Sequence, residues 1–282
     1  MRNILIITTL AIALLATSCQ QYHDENRQEE LAEIGMSTTK SLKDVYKSLK
    51  DNEYFYEVSN KELDILTSAD STISENANPQ KLVNYKITFD LTESMYKVYF
   101  AYKALTQPRA DADESGIRKA IRDFCSKIKA FELTEKAKSK IIAILNGTNN
   151  PAFKQKEIIN MVSILFTEAV NGNIEENIKI TENNYTAFAN KLEKIPENSF
   201  ELERLKKLTD EPYKDKKILV KLFKLKQKEK AQKEKTILIA KLNKASEILK
   251  KITITHSAIS KQGTKDTDID ILLREIKLLI EN

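Results

Sequence analysis

Tryptophan is absent from this chain, and histidine, cysteine, glycine and proline are scarce: two, two, five and five among 282 residues. Each shortage excludes a class of protein. Repeated zinc modules, haem and iron–sulfur sites and disulfide frameworks need more Cys and His than are present. The P-loop and dinucleotide-binding fingerprints need clustered glycines, and none cluster here. The chain has no run of 20 apolar residues, so no spanning helix is expected. With 41% hydrophobic and 31% charged residues it holds enough apolar side chains for a sizeable core. Lysine dominates the cations, at 39 of 46, beside 20 asparagines.

The opening MRNILIITTLAIALLATSC has a basic residue at Arg2, an apolar run from Ile4 to Leu15, and small residues before Cys19. This is the pattern of a secretory signal peptide over residues 1–18. Leu15, Ala16, Thr17 and Ser18 ahead of Cys19 resemble a bacterial lipobox in its relaxed spirochaete form. The resemblance implies cleavage before Cys19, a diacylglycerol thioether on its sulfur and acylation of the new amino terminus, which anchors a chain stably to a membrane. The stretch 20–30 (QQYHDENRQEE) is polar and without apolar periodicity, and reads as a solvated tether reaching about 35 Å if extended.

From residue 31 to 282 the apolar residues recur at three and four. Leu31, Ile34, Leu42, Val45, Tyr46 and Leu49 mark a first helix. Ser59 with Glu62 makes a capping box for a second. Asn78-Pro79 opens a third through Leu82, Phe89, Met95, Tyr99 and Tyr102, and Asn150-Pro151 repeats the start signal. Gly147 and Gly172 stand where stops belong. Ile174, Ile178, Tyr185, Phe188 and Leu192 form another stripe, Asn198 with Glu201 starts a short helix, Glu211-Pro212 introduces a long one, and Thr267 with Asp270 caps the last. Only KITITHSAI alternates like a strand, with nothing to pair against. The expected fold is all-α, a multi-helix bundle with a long basic helical segment near the C-terminus.

The charge is uneven. Residues 201–282 carry 21 basic and 13 acidic side chains, and residues 214–251 alone carry 14 and 4. Within them KQKEKAQKEK (226–235) has no apolar residue except Ala231, which predicts a continuous protruding helix exposed on all sides, about 15 Å long. Lys226, Lys228, Lys230, Lys233 and Lys235 are the candidate polyanion site, for a glycosaminoglycan outside the cell. The competing reading is a solvated helix in a lysine-biased chain. Export and the lack of interleaved aromatics argue against nucleic acid. In EYFYEV, the adjacent rings Tyr54, Phe55 and Tyr56 cannot all face one core, so at least one is expected outward as a partner-binding candidate.

Chemistry is thinly represented. Asp111, Asp113, Ser115 and Gly116 match the first half of an EF-hand loop, but Arg122 stands where the bidentate Glu belongs, so no metal site is expected. Asp266 to Asp270 alternates but meets Ile271 in the glycine position. Cys125 lies among Ile117, Ile121, Phe124 and Ile128 at helical spacing and reads as a core thiol. His23 and His256 read as solvent or capping residues. Neither catalytic residues nor a cofactor is expected, and the chain is not read as an enzyme.

The relaxed lipobox, polar tether, Lys/Asn/Ile-rich composition and disulfide-free helical body together resemble the borrelial outer-surface lipoproteins. That resemblance implies lipid anchoring through Cys19, display on the outer membrane, and binding of a host factor such as a complement regulator or an extracellular-matrix component, in immune evasion or adhesion. Two alternatives stand beside it: a periplasm-facing structural or assembly lipoprotein, and a glycosaminoglycan-binding adhesin acting through the Lys-rich helix.

Overall fold

The computed structural model describes the backbone of residues 2–67, 80–81, 85–106, 114–131, 133–200, 202–210, 215–261 and 265–281, with side chains from residue 25 onward except those of 65–67, 199 and 204. Among the described residues there are eight α-helices and no strand: α1 (Arg2–Thr67), α2 (Tyr85–Thr106), α3 (Glu114–Ile128), α4 (Glu135–Asn149), α5 (Gln155–Lys194), α6 (Leu202–Thr209), α7 (Lys216–Ser260) and α8 (Asp266–Glu281), with one 3₁₀ turn at Glu197–Ser199. The all-α expectation holds. Asn78-Pro79, Leu82, Asp111, Asp113 and Glu211-Pro212 lie outside the described residues, as do the side chains of Cys19 and His23.

The chain divides into two compact units. Unit one comprises residues 1–43, 86–171 and 245–282; unit two comprises 44–85 and 172–244. In unit one the core is built from helical stripes such as Leu91, Met95 and Val98 on α2, Ile121 and Phe124 on α3, and Leu249 and Ile252 on α7. Phe124 meets Phe166 edge-on, ring centroids 6.4 Å apart. Gly35 lies beneath the Tyr99 ring; a Cβ there would stand 2.5 Å from a ring carbon, so this position admits no side chain without displacing the tyrosine. Thr134 caps α4 by accepting from the Ala137 N–H. Arg118 on α3 donates to the carbonyls of Thr148 (2.7 Å) and Asn150 (2.8 Å), which satisfies acceptors that the end of α4 leaves free.

Unit two has its own core of Tyr56, Leu63, Phe188, Leu192, Ile195, Phe200, Leu205, Leu219, Val220, Phe223 and Ala231. Phe200 and Phe223 meet edge-on at 5.5 Å, and Tyr56 and Phe188 at 6.0 Å. Asp210, the residue after α6, has a φ of 53°, in the left-handed region that favours the close of a helix.

Several boundaries differ from the sequence reading: α4 runs through Gly147 to Asn149, and α8 begins at Asp266, ahead of Thr267. Ser59 does not start a helix; it is buried inside α1, which runs on to Thr67. Gly172 does not stop one, because α5 passes through it with open space where a side chain would stand. KITITHSAI, whose brief alternation has no strand to pair with, is helical as the all-α reading expects, and forms the last part of α7. The tether is shorter than drawn: α1 is helical across residues 20–30, and Arg27 and Gln28 are buried.

Candidate partner-binding surface

Both sets of sequence candidates outside the anchor fall in unit two. On α1 three successive residues turn about 200° around the helix axis, and the three rings divide accordingly. Tyr54 is 65% exposed, Phe55 is half-buried and Tyr56 is fully buried. The Tyr56 hydroxyl donates to the Ala231 carbonyl at 3.5 Å, and burial pushes its pKa well above the ordinary phenol range. Tyr56 is therefore a core residue and is withdrawn as a partner contact. One turn on from Tyr54, Lys61 pairs with Glu57 at 2.7 Å on the exposed side of the helix.

The lysine segment is continuous helix, as expected, but it does not protrude. Ala231 has 0% exposure and belongs to the unit-two core. A segment whose one apolar residue is Ala231 reads as solvated, yet a small residue is what a close helix approach requires. The lysines around it are engaged one by one. The Lys226 ammonium donates to the carbonyl of Thr209, the last residue of α6. Lys228 pairs with Glu193 at 3.3 Å. Lys230 stands over the Phe55 ring at 5.2 Å and Lys235 over the Tyr185 ring at 4.2 Å. Lys233 is exposed and, among the described residues, has neither an ion-pair nor a ring partner.

Neighbouring lysines of α7 do the same work. Lys224 donates to the carbonyls of Glu193 (3.0 Å) and Ile195 (2.8 Å), and Lys216 to that of Asn198 (3.4 Å). A cation at a helix C-terminus satisfies carbonyls without intrahelical partners and opposes the negative end of the macrodipole. The basic segment thus closes the ends of α5 and α6, a role that sequence reasoning missed. Its signal was present: two short gaps, after Lys194 and after Thr209, end helices that carry no C-terminal glycine.

Elsewhere the potentially reactive groups are enclosed. Cys125 is fully buried on α3, and burial pushes its thiol up to about 12. It is a core thiol, as expected. His256 is neither a solvent nor a capping residue: it lies in the last turns of α7, 3% exposed and stacked on Tyr99 at 5.8 Å. Burial alone lowers its pKa to about 3, so the ring is neutral. Tyr102, whose ring centroid lies 6.4 Å from the imidazole, donates to Gln28 Oε1 at 3.1 Å. Among the described residues no group of three or more His, Cys, Asp or Glu side chains is arranged to hold a metal ion, and no helix is long and apolar enough to cross a membrane. Asp266 and Asp270, one alternation of the acidic run, both point at Arg27.

Comparison with protein-family models, with curated proteins and with solved structures finds no match to this chain.

Proposed function

We propose that this chain is a lipid-anchored spirochaete surface lipoprotein, held through Cys19, that binds a host factor by presenting a helix face of unit two. The reading rests on the signal and lipobox pattern of residues 1–19 and on an all-helical body. The observation that carries the binding half is Tyr54. It is a large ring held outward on a helix whose next two aromatics are packed inward, and such rigid, amphipathic anchors supply most of the energy at protein interfaces. A complement regulator or an extracellular-matrix protein is the expected class of partner.

The glycosaminoglycan reading is weakened by its own residues, since four of the five candidate lysines already have partners in unit two. Pull-down of serum and matrix proteins on the purified body tests the main reading. A host protein retained by the wild type and lost in Tyr54→Ala supports it; retention of none overturns the binding claim. Protease treatment of intact cells separates display from the periplasmic alternative, which predicts resistance until the outer membrane is opened.

A further inference from the structure

The apolar side chains left exposed in unit one are spread over several helices: Phe100 on α2, Ile142 on α4, Ile254 on α7, and Ile271 with Leu278 on α8. The pair on α8 differs from the others in two respects. Seven residues separate them, so two turns bring them onto one line of the helix, with Arg274 between them. That line is opposite Ile269, Leu273 and Ile276, which are buried. Ile271 is 55% and Leu278 49% exposed.

The second difference is position. Helix α8 is fastened to the part of α1 that directly follows Cys19. Arg27, itself buried, donates from Nη1 to Asp266 at 2.6 Å and from Nε and Nη2 to Asp270 at 2.9 and 3.1 Å. Lys277 pairs with Glu30 at 2.6 Å. Because α1 is helical without a break from Cys19 to Arg27, the eight-residue step from one to the other spans about 12 Å at 1.5 Å per residue. The same step in an extended chain would have allowed a little over twice that distance.

Resting on the lipid-anchor reading, we propose that the outer line of α8, Ile271, Arg274 and Leu278, lies against the headgroup layer of the bilayer that holds the Cys19 acyl chains. The charges suit that surface. Asp266 and Asp270, which would repel anionic lipid, face Arg27, while the exposed Arg274, between the two aliphatic side chains, is placed to meet lipid phosphates. Two aliphatic residues are a weak membrane ligand alone. The anchor makes their contact intramolecular, so a high effective concentration replaces intrinsic affinity.

The test uses the full lipidated chain in phosphatidylcholine–phosphatidylglycerol vesicles that contain a headgroup spin-labelled lipid. Leu278→Cys is labelled with an environment-sensitive fluorophore, and Ile142→Cys serves as the reference; Cys125 is buried and does not compete for the label. Quenching several-fold stronger at position 278 than at 142 is expected, and it should fall toward the reference when Ile271→Glu and Arg274→Glu are added. Protein that floats with vesicles but is quenched equally at both positions overturns the α8 contact and leaves the anchor standing. Protein that does not float at all removes the anchor and this contact with it. A shielded probe at 278 without vesicles, together with a dimer in sedimentation equilibrium, shows that a second copy covers the face and also overturns the proposal.

Discussion

Between Lys216 and Lys244 helix α7 carries eleven lysines and buries none of them, whereas between Ala245 and Ser260 it carries two and buries Ser246, Thr255 and His256. The same helix therefore handles polarity in two ways. In unit two the long lysine stems lie along the packed surface and their charged tips travel to helix ends, a carboxylate and two ring faces, where charge is useful. In unit one the polar groups are short and stay where they are buried. Thr255 returns its hydroxyl to the Lys251 carbonyl at 2.9 Å, but His256 Nε2 has no hydrogen-bond partner among the described residues. The lesson is that a high density of charge does not exclude a segment from a core, provided the charges sit on long side chains and the seam residue is small.

Several measurements would break or sharpen this contrast. The largest effect is expected where the lysine half meets its core: Phe223→Ala should lower stability by about 3–5 kcal/mol in urea unfolding, because it leaves a cavity beside Phe200. The next belongs to the histidine half. The folded state holds His256 neutral with its pKa lowered from 6.5 to about 3, so its contribution is complete above pH 6.5 and is lost as pH falls from there toward 3. A loss of about 2 kcal/mol between pH 7 and pH 5 is expected from this group, and His256→Phe should flatten that part of the pH profile whatever its absolute stability. Lys224→Met removes two hydrogen bonds to the end of α5 and should cost about 1 kcal/mol, with faster amide exchange confined to the last turn of α5. Lys233→Gln, at the one candidate lysine without a partner among the described residues, should change stability by less than about 0.5 kcal/mol.

The helical class was legible because apolar residues at three- and four-residue spacing are a collective signal. Spacing marks Leu31, Ile34, Leu42, Val45, Tyr46 and Leu49, and all but the half-buried Val45 are buried. The boundaries were less legible, for identifiable reasons. Ser59-x-x-Glu62 satisfies a capping box in sequence, but the chain around it keeps its helical path, and Ser59 is buried within α1. Gly172 stands where a stop belongs, yet glycine ends a helix only when the chain needs a left-handed residue there, and α5 runs straight through it. His256 is read as a solvent or capping residue because it is polar and near a helix end, whereas the last turns of α7 remain packed and bury it.

At the candidate surface, the division of Tyr54, Phe55 and Tyr56 between solvent and core followed from helix geometry alone. The engagement of the lysines did not, because their acceptors are carbonyls at the ends of α5 and α6 and rings on α1 and α5, far away in sequence. Nothing in the local run KQKEKAQKEK distinguishes a lysine that caps another helix from one that is solvated. The clue was Ala231, a single small apolar residue that local hydropathy could not separate from a solvated helix face.

The most direct test of the packed lysine seam compares Ala231→Lys with Gln232→Lys. Both add the same residue, a good helix former, one position apart. If α7 packs along this segment, Ala231→Lys forces a long charged side chain into the unit-two core and should cost about 3 kcal/mol or more, while Gln232→Lys on the exposed side should be nearly neutral. Equal and small effects at the two positions would mean that the segment stands free in solvent, and would contradict the account.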